Sequence, residues 1–288
     1  MNRRLPEWMR VPKPNPSSMN RMEKLIKNKT LHTVCHEANC PNRNECFEKK
    51  SVTFMILGKN CTRNCQFCNV THTEAMPVDP NEPQNIADAV KDLGIRHIVI
   101  TSVTRDDLED GGSQQFAKVI QAIRDLNQGI TVEVLIPDFK GSEKALMNVI
   151  NAKPDVIGHN METVPSLYID VRPDAKYNQS LDVLKFVKEQ SQSIYTKSGI
   201  MVGLGETYDE VVQVLSDLRG VDCDILTVGQ YLQPSKAHME VTHYVEPKVF
   251  EAYEIKAKEL GFKAAACGPF VRSSYNAFDV LNACETGS

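Results

Sequence analysis

No apolar run in the 288-residue sequence is long enough to cross a membrane. Uninterrupted hydrophobic stretches reach only a few residues, as at Ile98-Val99-Ile100, where a span needs about 20. The sequence also opens without the charged segment, apolar stretch and cleavage site of a secretory leader, which predicts a chain that is not secreted. It lacks a strong charge of either sign, with 33 Lys+Arg against 37 Asp+Glu and a formal charge of -4. Internal repeats beyond a βα alternation, and low-complexity tracts, are missing too. What charge asymmetry exists is local. The first 30 residues hold eight Lys/Arg and two acids, whereas residues 31–288 hold 25 and 35, a balance that predicts no general nucleic-acid binding. Pro6, Pro12, Pro14 and Pro16 break any amphipathic targeting helix in the basic stretch, so a cytoplasmic location and no membrane association are expected. With 41% hydrophobic and 24% charged residues, the chain is expected to fold as a globular protein of one large or two small domains.

Nine cysteines are present, and their placement matters more than their number. Cys35, Cys40, Cys46, Cys61, Cys65 and Cys68 fall within 34 consecutive residues, while Cys223, Cys267 and Cys284 are scattered. An odd total without a leader argues against a disulfide framework. Clustered thiols in a reducing compartment point instead to metal ligation.

Residues 1–50 read as irregular. From about Val52, short apolar segments alternate with amphipathic ones. Strands are expected at 52–57, 97–102, 131–136, 155–159, 199–203 and 224–229, and helices near 84–94, 113–127, 142–152, 179–190, 207–219 and 246–260. These make six βα units with the spacing of parallel crossovers. Near-continuous apolar strands such as 97–101 suit a parallel sheet covered on both faces, and Gly94, Gly129 and Gly261 fall where helices are expected to stop. The fold class is therefore α/β. Six units suit a partial (β/α)6 TIM-type barrel, and a doubly wound open sheet is the alternative. The division expected is an N-terminal extension over 1–50, a barrel over 51–261 and a C-terminal extension over 262–288.

The second triplet, Cys61-Thr-Arg-Asn-Cys65-Gln-Phe-Cys68, directly follows the first expected strand. Three thiolates on a short loop can hold three irons of a 4Fe–4S cluster and leave the fourth open to a small chelator. A zinc site would want a fourth close ligand, which His72 or the first triplet could supply. The first triplet, Cys35-x4-Cys40-x5-Cys46, again offers three ligands without a local fourth.

C-x3-C-x-aromatic-C after the first strand of a βα series resembles the radical S-adenosylmethionine superfamily. Within it, the two triplets and Arg272-Ser273-Ser274-Tyr275 resemble the lipoyl synthase family. The likeness runs in order through Glu37-Ala-Asn-Cys-Pro-Asn, Thr101-Ser-Val-Thr-Arg-Asp-Asp, His159-Asn-Met-Glu-Thr-Val and Cys267-Gly-Pro-Phe-Val-Arg-Ser-Ser-Tyr. The resemblance implies an S-adenosylmethionine-binding 4Fe–4S cluster on Cys61, Cys65 and Cys68, with Phe67 against the adenine. Packing beneath the loop is the other role open to Phe67. It implies a second, auxiliary 4Fe–4S cluster on Cys35, Cys40 and Cys46 with Ser274 as fourth ligand, Ser273 being the fallback. It further implies cofactor contacts from Asn69, Thr101, Ser102, Asn160, Glu162, Arg172, Gly203 and Glu206. The activity implied is a radical sulfurtransferase that inserts two sulfurs, at C6 and C8, into a protein-bound octanoyl-lysine.

The partners implied are octanoylated lipoyl-carrier domains, namely acyltransferase subunits of 2-oxoacid dehydrogenases and the glycine cleavage carrier protein. An electron donor such as ferredoxin or flavodoxin is implied as well. The basic stretch (Arg3, Arg4, Arg10, Lys13, Arg21, Lys24, Lys27, Lys29) is expected to help dock an acidic carrier. Another radical sulfur inserter, or a zinc-binding module, would share part of the cysteine pattern. Glu133 inside an apolar strand fits either a barrel interior or an edge. The acidic run Asp106-Asp107-Leu108-Glu109-Asp110 reads as a solvated loop, and Cys223, Cys267 and Cys284 read as structural thiols.

Overall fold

A computed structural model describes residues 5–10, 23, 26 and 29–286. In chain order the strands are β1 (His32–Thr33), β2 (Thr53–Ile56), β3 (Asn60–Cys61), β4 (Thr71–His72), β5 (His97–Ser102), β6 (Thr131–Leu135), β7 (Val156–Gly158), β8 (Tyr195–Val202), β9 (Ile225–Gln230) and β10 (Ala264–Gly268). β3 and β4 form a small pair of their own. The other eight lie in the order β1-β2-β5-β6-β7-β8-β9-β10, all parallel except β1, which runs antiparallel to β2. Each new parallel strand adds on the same side of the last. A doubly wound sheet reverses its strand order at a switch point, so that alternative is excluded. The edges β1 and β10 do not pair, and the result is a partial barrel.

The helices are α1 (Val34–Glu37), α2 (Arg43–Glu48), α3 (Glu82–Leu93), α4 (Ser113–Leu126), α5 (Glu143–Asn151), α6 (Tyr168–Val171), α7 (Tyr177–Gln190), α8 (Tyr208–Gly220), α9 (Pro247–Leu260) and α10 (Ala277–Thr286). Six of them, α3, α4, α5, α7, α8 and α9, are the expected crossovers. α3 and α9 stop at Gly94 and Gly261, both left-handed. Gly129 does not cap α4, which ends at Asn127; there the Asn127 side chain bonds the Ile123 carbonyl, and the glycine serves the turn beyond. Among the described residues no helix is long and apolar enough to cross a membrane.

Strand alternation sorts the side chains. Ile98, Ile100, Val132 and Val134 face outward into the helix layer with Val90, Phe116, Ile120 and Val149. A second part of that layer packs Val211, Leu215 and Phe250 against Ile200, Val202, Leu226 and Val228. The alternate positions face the barrel interior, and Glu133 is among them. It pairs there with Lys197 Nζ at 2.8 Å and His97 Nε2 at 3.6 Å. The Lys197 partner explains why β8 begins four residues before the expected 199. Thr196, Lys197 and Ser198 look like a polar loop in sequence, yet all three are buried.

Residues 1–50 are less irregular than expected, since β1, α1 and α2 lie within them. At the other end, α10 closes the barrel floor. Leu281 packs on Val156 and Ile225, the first residues of β7 and β9, and the Phe278 ring lies 5.9 Å from that of His97 at the start of β5.

Candidate active site

The loop that leaves β2 carries Cys61, Cys65 and Cys68, and buried charge fixes its shape. Arg63 donates from Nε and Nη2 to Asp106 at 2.6 and 3.0 Å, and from Nη1 and Nη2 to Asp138 at 2.8 Å each. Burial alone would raise the Asp138 carboxyl, but the Arg63 guanidinium overrides it and holds it at about 2. The Thr104 amide donates to Cys61 Sγ at 3.3 Å, and His238 Nε2 lies 3.0 Å from the Cys68 carbonyl. The acidic run after β5 is thus not a plain solvated loop. Asp106 holds Arg63, Asp107 holds Arg105, and Asp110 accepts the Gln114 amide at the start of α4.

The three thiols open onto a cavity of about 920 Å³ that fills the barrel from its mouth inward. Asn69, Phe67, Thr101, Ser102, Asn160, Glu162 and Arg172 share its lining, as do Cys35, Cys40, Ser273 and Ser274. Gly203 and Glu206 do not. Glu206 instead accepts the amides of Gly203 and Leu204 at 2.6 and 2.9 Å, bracing the turn behind the cavity wall. Phe67 has both expected aspects, lining the cavity while packing beside Val171, Leu204 and Tyr231. Arg172 is buried, donating to the Asn160 carbonyl and the Tyr168 hydroxyl at 2.8 Å each. His159, at the same wall, is kept neutral by burial and by the Arg172 charge, with its pKa pushed down to about 4. Burial pushes the Glu162 carboxyl up, against the pull of Arg172 and Asn160.

Three polar atoms in this wall are buried without a hydrogen-bond partner: Ser102 Oγ, Asn160 Oδ1 and Arg172 Nε. Such orphans are rare in a finished interior and mark where a polar ligand completes the bonding. An amino-acid and ribose moiety would do so. Met55, Val103, Leu135, Met201, Leu232 and Val241 supply an apolar lining between these groups and the first triplet. Of these Met55, Leu135 and Met201 lie in expected strands and Val103 in a motif quoted above, while Leu232 and Val241 lie in no stretch that the sequence singled out. All are ordinary strand or loop hydrophobics, and nothing in a single sequence separates an inward-facing one from core.

The first triplet meets the C-terminal segment directly. Cys35, Cys40, Cys46 and Ser274 line one small pocket of about 20 Å³ beside Ser51, Val52 and Thr53, and Ser273 is absent from it. The meeting place is therefore the start of β2, next to the unpaired edge β1, and not the barrel mouth. The reason is the course of 269–276. After β10 the chain folds back against β9, so closely that a Cβ on Gly229 would collide with the Val271 carbonyl. Asn42 Nδ2 then donates to the Phe270 carbonyl at 2.6 Å, and the Tyr275 hydroxyl to Glu45 at 2.9 Å.

All nine cysteines are free thiols. Burial pushes Cys65 and Cys35 to about 11 and Cys68 and Cys46 to about 12, and neighbouring thiols of the same triplet add to each rise. Taking up iron would therefore release protons. Among the described residues no three His, Cys, Asp or Glu side chains converge as they would around one ion, and His72 is exposed. A four-iron cluster takes one ligand per iron, so its thiolates stand farther apart than the ligands of a single ion. The donor set suits such clusters better than zinc.

Residues 55–218 match the radical SAM superfamily. Lipoyl synthase of Alkaliphilus metalliredigens is 54% identical over 283 residues, covering 98% of both chains. That of Caldanaerobacter subterraneus is 56% identical over 277 residues, covering 96% of this chain and 97% of the relative. Among solved structures, methylornithine synthase superposes with a TM-score of 0.56 at 14% identity, covering 93% of this chain and 88% of the other. A maturase of FeFe-hydrogenase superposes at 0.59 and 14%, covering 90% and 57%; at such identity both speak to the fold alone. Identity above one half across nearly the whole chain decides the matter, and the chain belongs to the lipoyl synthase family of the radical SAM superfamily.

Proposed function

We infer that this chain is a lipoyl synthase, a radical sulfurtransferase that converts a protein-bound octanoyl-lysine into lipoyl-lysine. The observation that carries the reading is that Cys35, Cys40 and Ser274 border both the cavity of the second triplet and the small pocket they share with Cys46. An unactivated C–H bond offers no acidic proton, so general-base chemistry has nothing to act on. The bound cofactors supply one-electron cleavage of S-adenosylmethionine to a 5′-deoxyadenosyl radical at one 4Fe–4S cluster, and sulfur from a second.

The chain's own residues bind and position. Cys61, Cys65 and Cys68 would hold three irons of the first cluster and leave one for the amino-acid end of S-adenosylmethionine. Ser102, Asn160 and Arg172 would complete its polar bonding, Thr101, Glu162 and Asn69 would border it, and Phe67 would face the adenine. Gly203 and Glu206 act behind that wall, shaping the turn that follows β8. Cys35, Cys40 and Cys46 would hold the auxiliary cluster with Ser274. The hard oxygen of Ser274 is an unusual iron–sulfur ligand, suited to an iron that must be given up. The apolar lining receives the octanoyl tail and keeps water from a carbon radical. In this arrangement the catalytic barrel expected over 51–261 runs on through β10, which pairs with β9, while 1–50 and the segment after β10 are extensions that meet to build the auxiliary site.

The substrate is an octanoylated carrier. Acyltransferase subunits of 2-oxoacid dehydrogenases and the glycine cleavage carrier fit it, as do ferredoxin or flavodoxin as reductant and a cytoplasmic setting. Of the basic stretch proposed to dock the carrier, Arg10 is exposed, whereas Lys29 is already paired with Asp92 at 3.2 Å. Arg3, Arg4, Lys13, Arg21, Lys24 and Lys27 lie outside the described residues. The deciding experiment is anaerobic mass analysis of an octanoyl-lysyl peptide after incubation with reconstituted protein, reductant and S-adenosylmethionine. Gain of two sulfurs is expected; a peptide that loses hydrogen without gaining sulfur would sink the reading.

A further inference from the structure

Two arginines around the site, Arg63 and Arg105, face carboxylates at 2.8 Å or less, and a third, Arg172, spends its donors on the Asn160 and Met161 carbonyls and the Tyr168 hydroxyl. Arg272 makes no ion pair among the described residues, and the one side-chain hydrogen bond it makes there, at 2.6 Å, is to the carbonyl of its own neighbour Val271. It borders both the large cavity and the small pocket of Cys35, Cys40, Cys46 and Ser274. Its position is built, not incidental. The bonds from Asn42 and Tyr275 pin its segment on both sides, and a Cβ on Gly229 would come within 3.2 Å of its Nη1.

A partly buried guanidinium with no anion beside it is stabilised when a counter-charge arrives. Three thiolates and an alkoxide outweigh the positive charge of a 4Fe–4S core and leave a net anion. We propose that Arg272 is the counter-cation of the auxiliary cluster, a positioning residue that stabilises the cluster's negative charge and raises its reduction potential. The proposal rests on the assignment of Cys35, Cys40, Cys46 and Ser274 to that cluster. Net charge and nearby donors are among the levers that set iron–sulfur potentials. Removing a positive charge disfavours the added electron, so the potential must fall.

The test uses the full chain with Cys61, Cys65 and Cys68 changed to Ala, so that the auxiliary cluster alone remains. Iron content, midpoint potential by electron paramagnetic resonance, and the rate of iron loss to a chelator are compared for Arg272, Arg272→Lys and Arg272→Gln. Arg272→Gln is expected to lower the potential and release iron several-fold faster, with Arg272→Lys restoring most of both. Failure of Arg272→Gln to load iron while Arg272→Lys loads would support the proposal equally, because only charge separates them. An unchanged potential in a fully loaded Arg272→Gln protein would overturn it. So would equal losses in Lys and Gln variants, which assign the residue a role of shape, or a raised KM for S-adenosylmethionine in the otherwise wild-type Arg272→Gln chain with cluster properties intact. Absence of iron in the triple-Ala background itself would count against the cluster assignment, which separates that failure from this one.

Discussion

Asn69 donates its side-chain amide to the Glu37 carbonyl at 2.8 Å, tying the loop that follows Cys68 to the end of α1, between Cys35 and Cys40. Two iron sites that serve one substrate must keep a fixed separation, and this bond joins their loops directly. Asn69→Ala is expected to leave both clusters assembled, and to cost less 5′-deoxyadenosine, through its place beside S-adenosylmethionine, than lipoyl product. The ratio of lipoyl product to 5′-deoxyadenosine should fall several-fold. A ratio equal to wild type would show that the tie is dispensable.

Iron content tests the two-cluster arrangement. Anaerobically reconstituted protein should carry about eight irons per chain, four per cluster. Changing Cys35, Cys40 and Cys46 together to Ala should leave about four, while cleavage of S-adenosylmethionine persists. Undiminished iron in that variant would move the auxiliary cluster elsewhere.

Ser274→Ala removes one oxygen and keeps all six clustered thiols. It should retain 5′-deoxyadenosine formation and lose lipoyl product, because the open iron lies on the other triplet. Ser273, which faces only the larger cavity, should tolerate the same change far better. Full lipoyl formation by Ser274→Ala would reject its role as ligand.

Two glycines separate the sites sterically. At Gly229 a methyl group meets the Val271 carbonyl, which cannot retreat without moving 269–276. Gly229→Ala should therefore lose auxiliary iron. At Gly199 a methyl group would lie 2.8 Å from Thr227 Oγ1 and 3.0 Å from Asn160 Oδ1, so Gly199→Ala should weaken S-adenosylmethionine binding and leave iron content near eight. Identical phenotypes for the two would contradict this division of the cavity.

The Arg63–Asp138 pair makes a pH prediction. Asp138 titrates at about 2, below its ordinary 3.8, so its contribution to stability is present above about pH 4 and is lost as pH falls toward 2. Asp138→Asn should destabilise the apo-protein by on the order of 3 kcal/mol, the low end for a broken buried pair because Asp106 still holds Arg63. The gap between wild-type and variant melting temperatures should close across pH 4 to 2. A gap that stays constant over that window would remove the Asp138 charge from the account.

The six βα units were legible because crossover helices write a strong 3.6-residue pattern between short apolar runs. The start of β8 is not legible, since Thr196-Lys197-Ser198 is polar in sequence and Lys197 finds its partner, Glu133, only across the barrel interior. β10 is a run of alanines ending in Cys267-Gly268, with no alternation to read. The cysteine triplets announced themselves by spacing. The pocket joining Cys46 to Ser274 did not, because more than 200 residues separate them and only the fold supplies the contact. Arg63 and Arg172 share that difficulty: a lone arginine reads as surface charge until its buried partners are known.

That separation also sets an order of events during synthesis. Cys35, Cys40 and Cys46 emerge from the ribosome early, but the small pocket they share with Ser274 cannot exist until residue 274 has been made. The thiols nearest β2 must then remain reduced and unclaimed while the entire barrel forms beside them. Contacts so distant in the chain close late in folding. The pocket is thus a record of completion: a truncated or stalled chain can present three thiols, but it has no Ser274 to close the pocket.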